Sequence, residues 1–176
     1  MSLILCFAFA LAGQAPAPPH KLKPPPHLPS SGDSRPVTCA EAAQVFKEAR
    51  RIMSKGLEVS LAVKPRVNAS GKAVSREQVV AEFNAVFLAI QPDFKFKPRL
   101  VAFNPGVLKI SRAERAPLAR LIEYGCVGKV SPLATGPTDS LTPAELGDAL
   151  GLFTSRIAEL SHMPSAKWTP ILMDQN

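Results

Sequence analysis

The sequence is poor in the residues that enzymes and metal sites use. Its 176 residues contain three histidines, three cysteines, one tryptophan and one tyrosine. It has no HExxH, CxxC, G-x-S-x-G or glycine-rich phosphate loop. His20 and His27 fall in a proline-rich stretch, and His162 is the only other histidine. These absences predict a chain without catalytic residues, metal or cofactor.

Carboxylate pairs suited to acid–base catalysis are also scarce. The two closest candidates are Glu77 with Glu82 and Glu145 with Asp148. Both pairs fall on helix positions that the apolar pattern places on an outer face. Solvated charges are therefore expected at these positions.

Long runs of one charge and long apolar runs are missing as well. The formal charge is +7, but lysine and arginine are spread along the chain, as on a solvated surface, and form no nucleic-acid-binding arm. The apolar run at 3–11 is too short to cross a bilayer. We expect no nucleic-acid partner and no transmembrane segment in the mature chain.

The first 37 residues are typical of an exported protein. Residues 1–15 resemble a secretory signal peptide, because the apolar run leads into small residues that end at Ala15, although no lysine or arginine precedes it. Residues 16–37 are rich in proline, which donates no backbone hydrogen bond, so an extended linker is predicted. The domain is expected at 38–163 and a C-terminal tail at 164–176, in the periplasm or at the cell surface.

Removal of the signal peptide would leave two cysteines, Cys39 and Cys126. In an oxidising compartment, these residues can form a disulfide. The alternative is two buried thiols, since unpaired cysteine behaves as a small apolar residue in a core. The sequence leaves both arrangements open.

Four capping boxes mark four predicted helix starts. In each box a Ser or Thr precedes a Glu or Gln by three residues, which satisfies two backbone N–H groups at a helix start. Apolar residues follow three of the boxes at steps of three and four, as on a helix with one face toward a core. The boxes are Thr38/Glu41, Ser75/Gln78, Ser111/Glu114 and Thr142/Glu145.

Proline and glycine define the interiors and ends of these helices. In the third helix, Pro117 lies either in a surviving first turn or at the start of a helix that runs to Tyr124. In the fourth, Gly147 and Gly151 predict close approach of a neighbouring helix or loop. Helix ends are expected near Gly56, Pro92, Gly125 and Pro164.

Two short segments between the helices, 58–63 and 94–103, alternate partly between apolar and polar residues. They are candidates for a small two-stranded ribbon. The helices themselves fall into two similar pairs, offset by roughly 70 residues. The predicted fold class is therefore mostly α, with two helix–loop–helix repeats packed together and an optional short two-stranded β ribbon.

The two pairs resemble units of the S-layer homology (SLH) family. In that family, the first helix of a unit ends in Gly plus an aliphatic residue, and the second begins with a Thr-Arg-Ala-Glu type motif. The segments "FKEARRIMSKGLEV" and "VSREQVVAEFNAVF" resemble the two parts of one unit. Two later segments resemble the two parts of a second unit, namely "APLARLIEYGCV" and "SPLATGPTDSLTPAELGDALGLFTSRI".

The resemblance implies an exported, non-catalytic module that binds cell-wall polysaccharide or peptidoglycan. In the family, the motif arginine and its neighbours hold an anionic glycan. Arg76 occupies that position in the first unit, whereas Pro143 stands there in the second. Arg112 lies in the segment whose sequence is most similar to the motif. Arg66 is a third candidate for the cation that binds the glycan. Trp168 would either cover the core or stack on a sugar ring.

A different class of function remains open on the same residues. The alternative is an extracytoplasmic helical module that binds an envelope protein and has no glycan affinity, in which the arginines belong only to helix caps. An open groove lined by Arg76, Arg112 and Arg66 would favour the anion site, because helix starts and guanidinium groups both attract anions. A groove filled by side chains would favour the alternative. Because two repeats are few, an oligomer or a completing partner is also compatible with the sequence.

Overall fold

The structure, a computed structural model, describes residues 34–95, 98, 100, 103–104, 110–136 and 138–161. The predicted signal peptide, Trp168 and the C-terminal tail lie outside these residues, as does most of the predicted linker.

Helices dominate the described part of the chain, in which 61% of residues are helical and no strand or sheet occurs. The predicted mostly-α fold class is confirmed. α2 packs mainly against α3, and α5 packs against α1 and α4. Among these helices, none has the length and apolar character that crossing a bilayer requires. The helices are α1 (Cys39–Leu57), α2 (Arg76–Ile90), α3 (Arg112–Glu123), α4 (Pro132–Thr135) and α5 (Pro143–Leu160), and a 3-10 turn at Gln91–Asp93 follows α2.

Three of the four predicted capping boxes are formed, which confirms how α1, α2 and α5 begin. In each, the Ser or Thr hydroxyl accepts a hydrogen bond from the backbone N–H three residues on. The Glu or Gln side chain accepts one from the N–H of the capping residue. At Thr142 the two N···O distances are 3.3 and 2.8 Å. The pairs are Thr38/Glu41, Ser75/Gln78 and Thr142/Glu145.

The box predicted at Ser111 is not formed, because a neighbouring helix takes the backbone donor. Ser111 N–H donates to Glu77 Oε1 of α2 at 3.1 Å, and the Ser111 side chain makes no capping hydrogen bond. Glu114 N–H donates to Ser111 O at 3.1 Å instead. α3 still begins at Arg112. It continues through Pro117, which lies beyond the first turn, so neither of the two predicted placements of this proline is observed.

Glycine and proline end two of the helices as predicted. Gly125 follows α3 in the left-handed conformation, with φ 76°, and its N–H donates to Ile122 O at 2.9 Å. Pro92 follows α2 within the 3-10 turn. α1 ends at Leu57, one residue beyond the predicted Gly56, and Glu58 rather than Gly56 adopts the left-handed conformation, with φ 58°.

The candidate ribbon and the close approach expected at Gly151 are not observed. Residues 58–63 form no strand, so the ribbon is absent. In the second candidate segment, 94–103, Lys95 N–H donates to Leu160 O at 3.0 Å, because the chain passes the end of α5 there. Among the described residues, no neighbouring element approaches Gly151, since a Cβ added there would meet none of their atoms within 4 Å.

Backbone pairing occurs instead where the three capped helices begin. Val74 N–H donates to Val37 O, and Val37 N–H donates to Leu141 O, both at 2.8 Å. All three of these aliphatic residues are buried. The N-termini of α1, α2 and α5 therefore meet at one place in the domain. Isolated antiparallel bridges accompany these bonds, joining Thr38 to Ala73 and Ser75 to Ser140.

α2 is the central helix of the core. The ring of Phe83 stacks on Phe153 of α5, with centroids 4.4 Å apart, and meets Phe46 of α1 edge-on at 5.9 Å. More than one face of α2 is covered, which its apolar stripe did not predict. Its buried residues are Arg76, Val79, Val80, Glu82, Phe83, Val86, Phe87 and Ile90.

Glu82 is a buried carboxylate and not the solvated charge expected from the sequence. Only 1% of it is exposed, because α2 is covered on the side where Glu82 lies. One carboxylate oxygen pairs with Arg50 Nη1 of α1. The other accepts a hydrogen bond from Arg66 N–H at 2.7 Å. Glu82 therefore ties together α1, α2 and the loop between them.

The two cysteines are separate buried thiols, which is the second of the two arrangements left open by the sequence. Cys39 Sγ donates to Ala73 O at 3.6 Å. Burial raises the pKa of the Cys126 thiol to about 12. Because the thiolate is the reactive form, Cys126 is expected to be inert in the folded protein.

Candidate functional site

A cleft of about 340 Å³ lies where α2 and α3 begin. Residues that directly precede α3, and one residue before α5, complete it. All but one of the lining side chains are polar, and the exception is an isoleucine. The lining residues are Ser75, Arg76, Glu77, Ile110, Ser111 and Asp139.

Backbone hydrogen bonds hold the walls of the cleft in place. Arg76 N–H donates to Asp139 O at 2.8 Å, which fixes the connection before α5 against the start of α2. Glu77 Oε1 accepts the Ser111 N–H, which fixes the start of α3. The cleft is thus built from three segments that are far apart in the sequence.

Arg76 is mainly a structural residue. It is only 4% exposed, and its Nη1 donates to Pro132 O of α4 at 3.3 Å. The residues that follow the other two formed caps, Cys39 and Pro143, are buried as well. The position at which the SLH motif carries its arginine is therefore a core position in all three capped helices.

The three candidate arginines are not brought together around the cleft. Arg76 lines it, but Arg112 and Arg66 do not, although both are exposed. The two other charged lining residues are Glu77 and Asp139, both acidic. With one arginine and two carboxylates, the cleft is not the purely cationic groove that would favour an anion.

A third carboxylate, Glu114, lies near the cleft in the first turn of α3. Burial and the neighbouring Glu77 carboxylate raise its pKa, and Arg66 opposes the shift. Among the described residues, no group of three or more His, Cys, Asp or Glu side chains is placed to hold a metal ion.

Glu114→Gln is expected to raise the free energy of unfolding more at pH 7 than at pH 4. The difference between the two pH values should be roughly 0.5 kcal/mol. The raised pKa means that the folded state holds the proton more tightly than the unfolded chain. The contribution of Glu114 to the stability should therefore fall as the pH rises through the ordinary glutamate value of 4.5 and above it. Urea unfolding at both pH values measures the difference. Asp93→Asn, at an exposed position after α2, is the control and should show the pH dependence of wild type. A Glu114→Gln protein with the pH dependence of wild type would contradict the expectation.

Comparison with protein-family models, curated proteins and solved structures finds no significant match for this chain. The likeness to the SLH family therefore rests on the segments of this sequence that resemble it.

The sequence did not assign two of the charged lining residues to this cleft. Glu77 follows Arg76 directly, but the sequence gives no sign that its carboxylate reaches Ser111. Asp139 precedes the cap of α5 by three residues, and only the backbone pairing of the helix starts brings it to α2. Trp168 lies outside the described residues.

Proposed function

We propose that the chain is an exported, non-catalytic SLH-like module that binds a hydroxyl-rich polysaccharide or peptidoglycan of the cell envelope. The observation that carries this proposal is the polar cleft at the starts of α2 and α3. Its volume of about 340 Å³ falls in the range of small-molecule sites, about 300–1,000 Å³. The signal-like residues 1–15 support export.

The lining side chains suit sugar hydroxyls. The carboxylates of Glu77 and Asp139 accept hydrogen bonds, and the Ser111 hydroxyl both donates and accepts. Ile110 offers an apolar surface to the C–H face of a sugar ring. Because carboxylates outnumber the single arginine, a neutral, hydroxyl-rich stretch of glycan fits better than a polyanion, which revises the expectation of an acidic glycan.

One observation favours the alternative, an extracytoplasmic protein-interaction module without glycan affinity. The anion contact that the SLH resemblance implies needs an accessible guanidinium, and that of Arg76 is buried. The two functions differ in a simple assay, since only the first gives binding to isolated cell-wall sacculi.

The test is co-sedimentation of the chain lacking residues 1–15 with purified sacculi. We expect binding that persists in about 0.5 M NaCl, where surface charge interactions are largely screened. The double variant Ser111→Ala with Asp139→Ala should bind roughly tenfold more weakly, from the loss of two hydrogen bonds of about 0.5–1.5 kcal/mol each.

The matched control is Glu159→Ala, an exposed carboxylate on α5 away from the cleft, which should leave binding unchanged. Both variants are checked for folding by circular dichroism. Absence of wild-type binding at low salt would rule out the proposal. Binding that is lost at high salt, or an affinity that is the same in the double variant as in wild type, would show that the glycan binds outside the cleft.

A further inference from the structure

A second cavity, of about 230 Å³, lies between the loop after α3, α4 and the first turns of α5. Val127 and Leu133, both buried, line its wall on the loop and α4 side. Ala149 and Leu152 of α5 line the opposite side. A cavity of about 150 Å³ lined by apolar side chains holds a benzene molecule, so this one has room for a Leu or Ile side chain.

Two exposed aliphatic side chains lie at the cavity or beside it. Leu152 is 44% exposed, and Val130, in the turn between the lining residues Gly128 and Ser131, is 88% exposed. Gly151 presents backbone with no atom within 4 Å of an added Cβ, so another chain can approach α5 closely. Exposed aliphatic residues grouped beside a cavity are typical of a protein-docking surface.

The charged side chains that line the cavity are acidic. Among the described residues they are Glu145 and Asp148, in a chain whose formal charge is +7, while the exposed Lys129 lies beside the cavity in the same turn as Val130. Glu145 is held in place, because its Oε2 accepts hydrogen bonds from Thr142 N at 2.8 Å and Thr142 Oγ1 at 3.0 Å. Asp148 is exposed. The complement of this surface is a cation beside an aliphatic side chain.

We propose that this cavity docks a peptide segment of a partner protein in which an aliphatic residue lies next to lysine or arginine. The aliphatic side chain fills the cavity, and the cation pairs with Asp148 and Glu145. The surface is distinct from the polar cleft, so this inference does not depend on glycan binding.

The test is a titration of the ¹⁵N-labelled chain lacking residues 1–15 with three synthetic peptides at up to millimolar concentration. Their central residues are Lys-Leu-Lys, Glu-Leu-Glu and Lys-Ser-Lys. Only Lys-Leu-Lys should shift the amide signals of Val127, Leu133, Asp148 and Leu152. Leu152→Ser should weaken that binding at least tenfold, and Asp148→Asn several-fold.

Leu88→Ser is the matched control, because Leu88 is also 44% exposed but lies on α2 and does not line the cavity. It should leave the titration unchanged. Three outcomes would overturn the proposal: no shifts with any peptide, equal shifts with all three, or shifts that follow protein concentration without peptide. The last would identify the surface as a contact between copies of this chain.

Discussion

Glu82→Ala is expected to lower the free energy of unfolding by about 3–5 kcal/mol, because it leaves a largely buried arginine without its partner. The side chain of Arg50 is only 13% exposed, and Glu82 is its ion-pair partner. The same substitution removes the acceptor of the Arg66 N–H. Urea unfolding followed by circular dichroism measures the change.

Glu48→Ala is the control for this experiment. Glu48 forms an ion pair with Arg51 within α1, but the Arg51 side chain is 62% exposed, so the loss should stay below about 1 kcal/mol. Replacing both buried charges, as in Arg50→Met with Glu82→Leu, should recover most of the stability lost in Glu82→Ala. If Glu82→Ala costs no more than Glu48→Ala, Glu82 does not tie the helices together as described.

Phe83→Ala should lower the free energy of unfolding by about 3–5 kcal/mol as well, for a different reason. It removes the ring between Phe46 and Phe153 and leaves a cavity among α1, α2 and α5. Phe83→Leu retains much of the buried volume and should cost clearly less. Leu88→Ala, at an exposed position of the same helix, should have a small effect. Equal losses of unfolding free energy in Phe83→Ala and Leu88→Ala would contradict the assignment of α2 as the central helix of the core.

The helix starts could be predicted because their determinants are local. At Thr38 and Thr142 the capping residue, its Glu partner and the apolar stripe lie within a few residues of one another. Ser111 begins a segment with the same capping sequence, but its backbone N–H donates to Glu77 of α2 instead. That contact depends on how two helices pack, and the spacing of residues in one segment cannot reveal it.

The interior polar residues could not be predicted for a related reason. A stripe of apolar residues marks one buried face, but it does not say whether the opposite face is also covered. α2 is covered at Glu82 and at Arg76, so a carboxylate expected in solvent and an arginine expected at a ligand site are both buried. The four-residue helix α4, whose Pro132 accepts the Arg76 hydrogen bond, is too short to give a periodic pattern.

The site itself was anticipated only in part. The resemblance to the SLH family pointed to Arg76 and to a groove between helices, and Arg76 does line the cleft. Two other lining residues depend on contacts between segments. Asp139 is placed by the pairing of the starts of α1, α2 and α5, and Ser111 is held by Glu77 of α2. The character of the cleft, polar with an excess of carboxylates, follows from these contacts.

The most direct measurement of the central claim is an amide chemical-shift map of the chain lacking residues 1–15, titrated with soluble fragments of peptidoglycan glycan strands. Binding in the cleft predicts saturable shifts at Ser75, Glu77, Ser111 and Asp139, with little change at Leu152 in the apolar cavity. Those shifts should be lost in the Ser111→Ala, Asp139→Ala double variant. A saturating titration with no shift at these residues, or with shifts confined to other surfaces, would contradict glycan binding at this site.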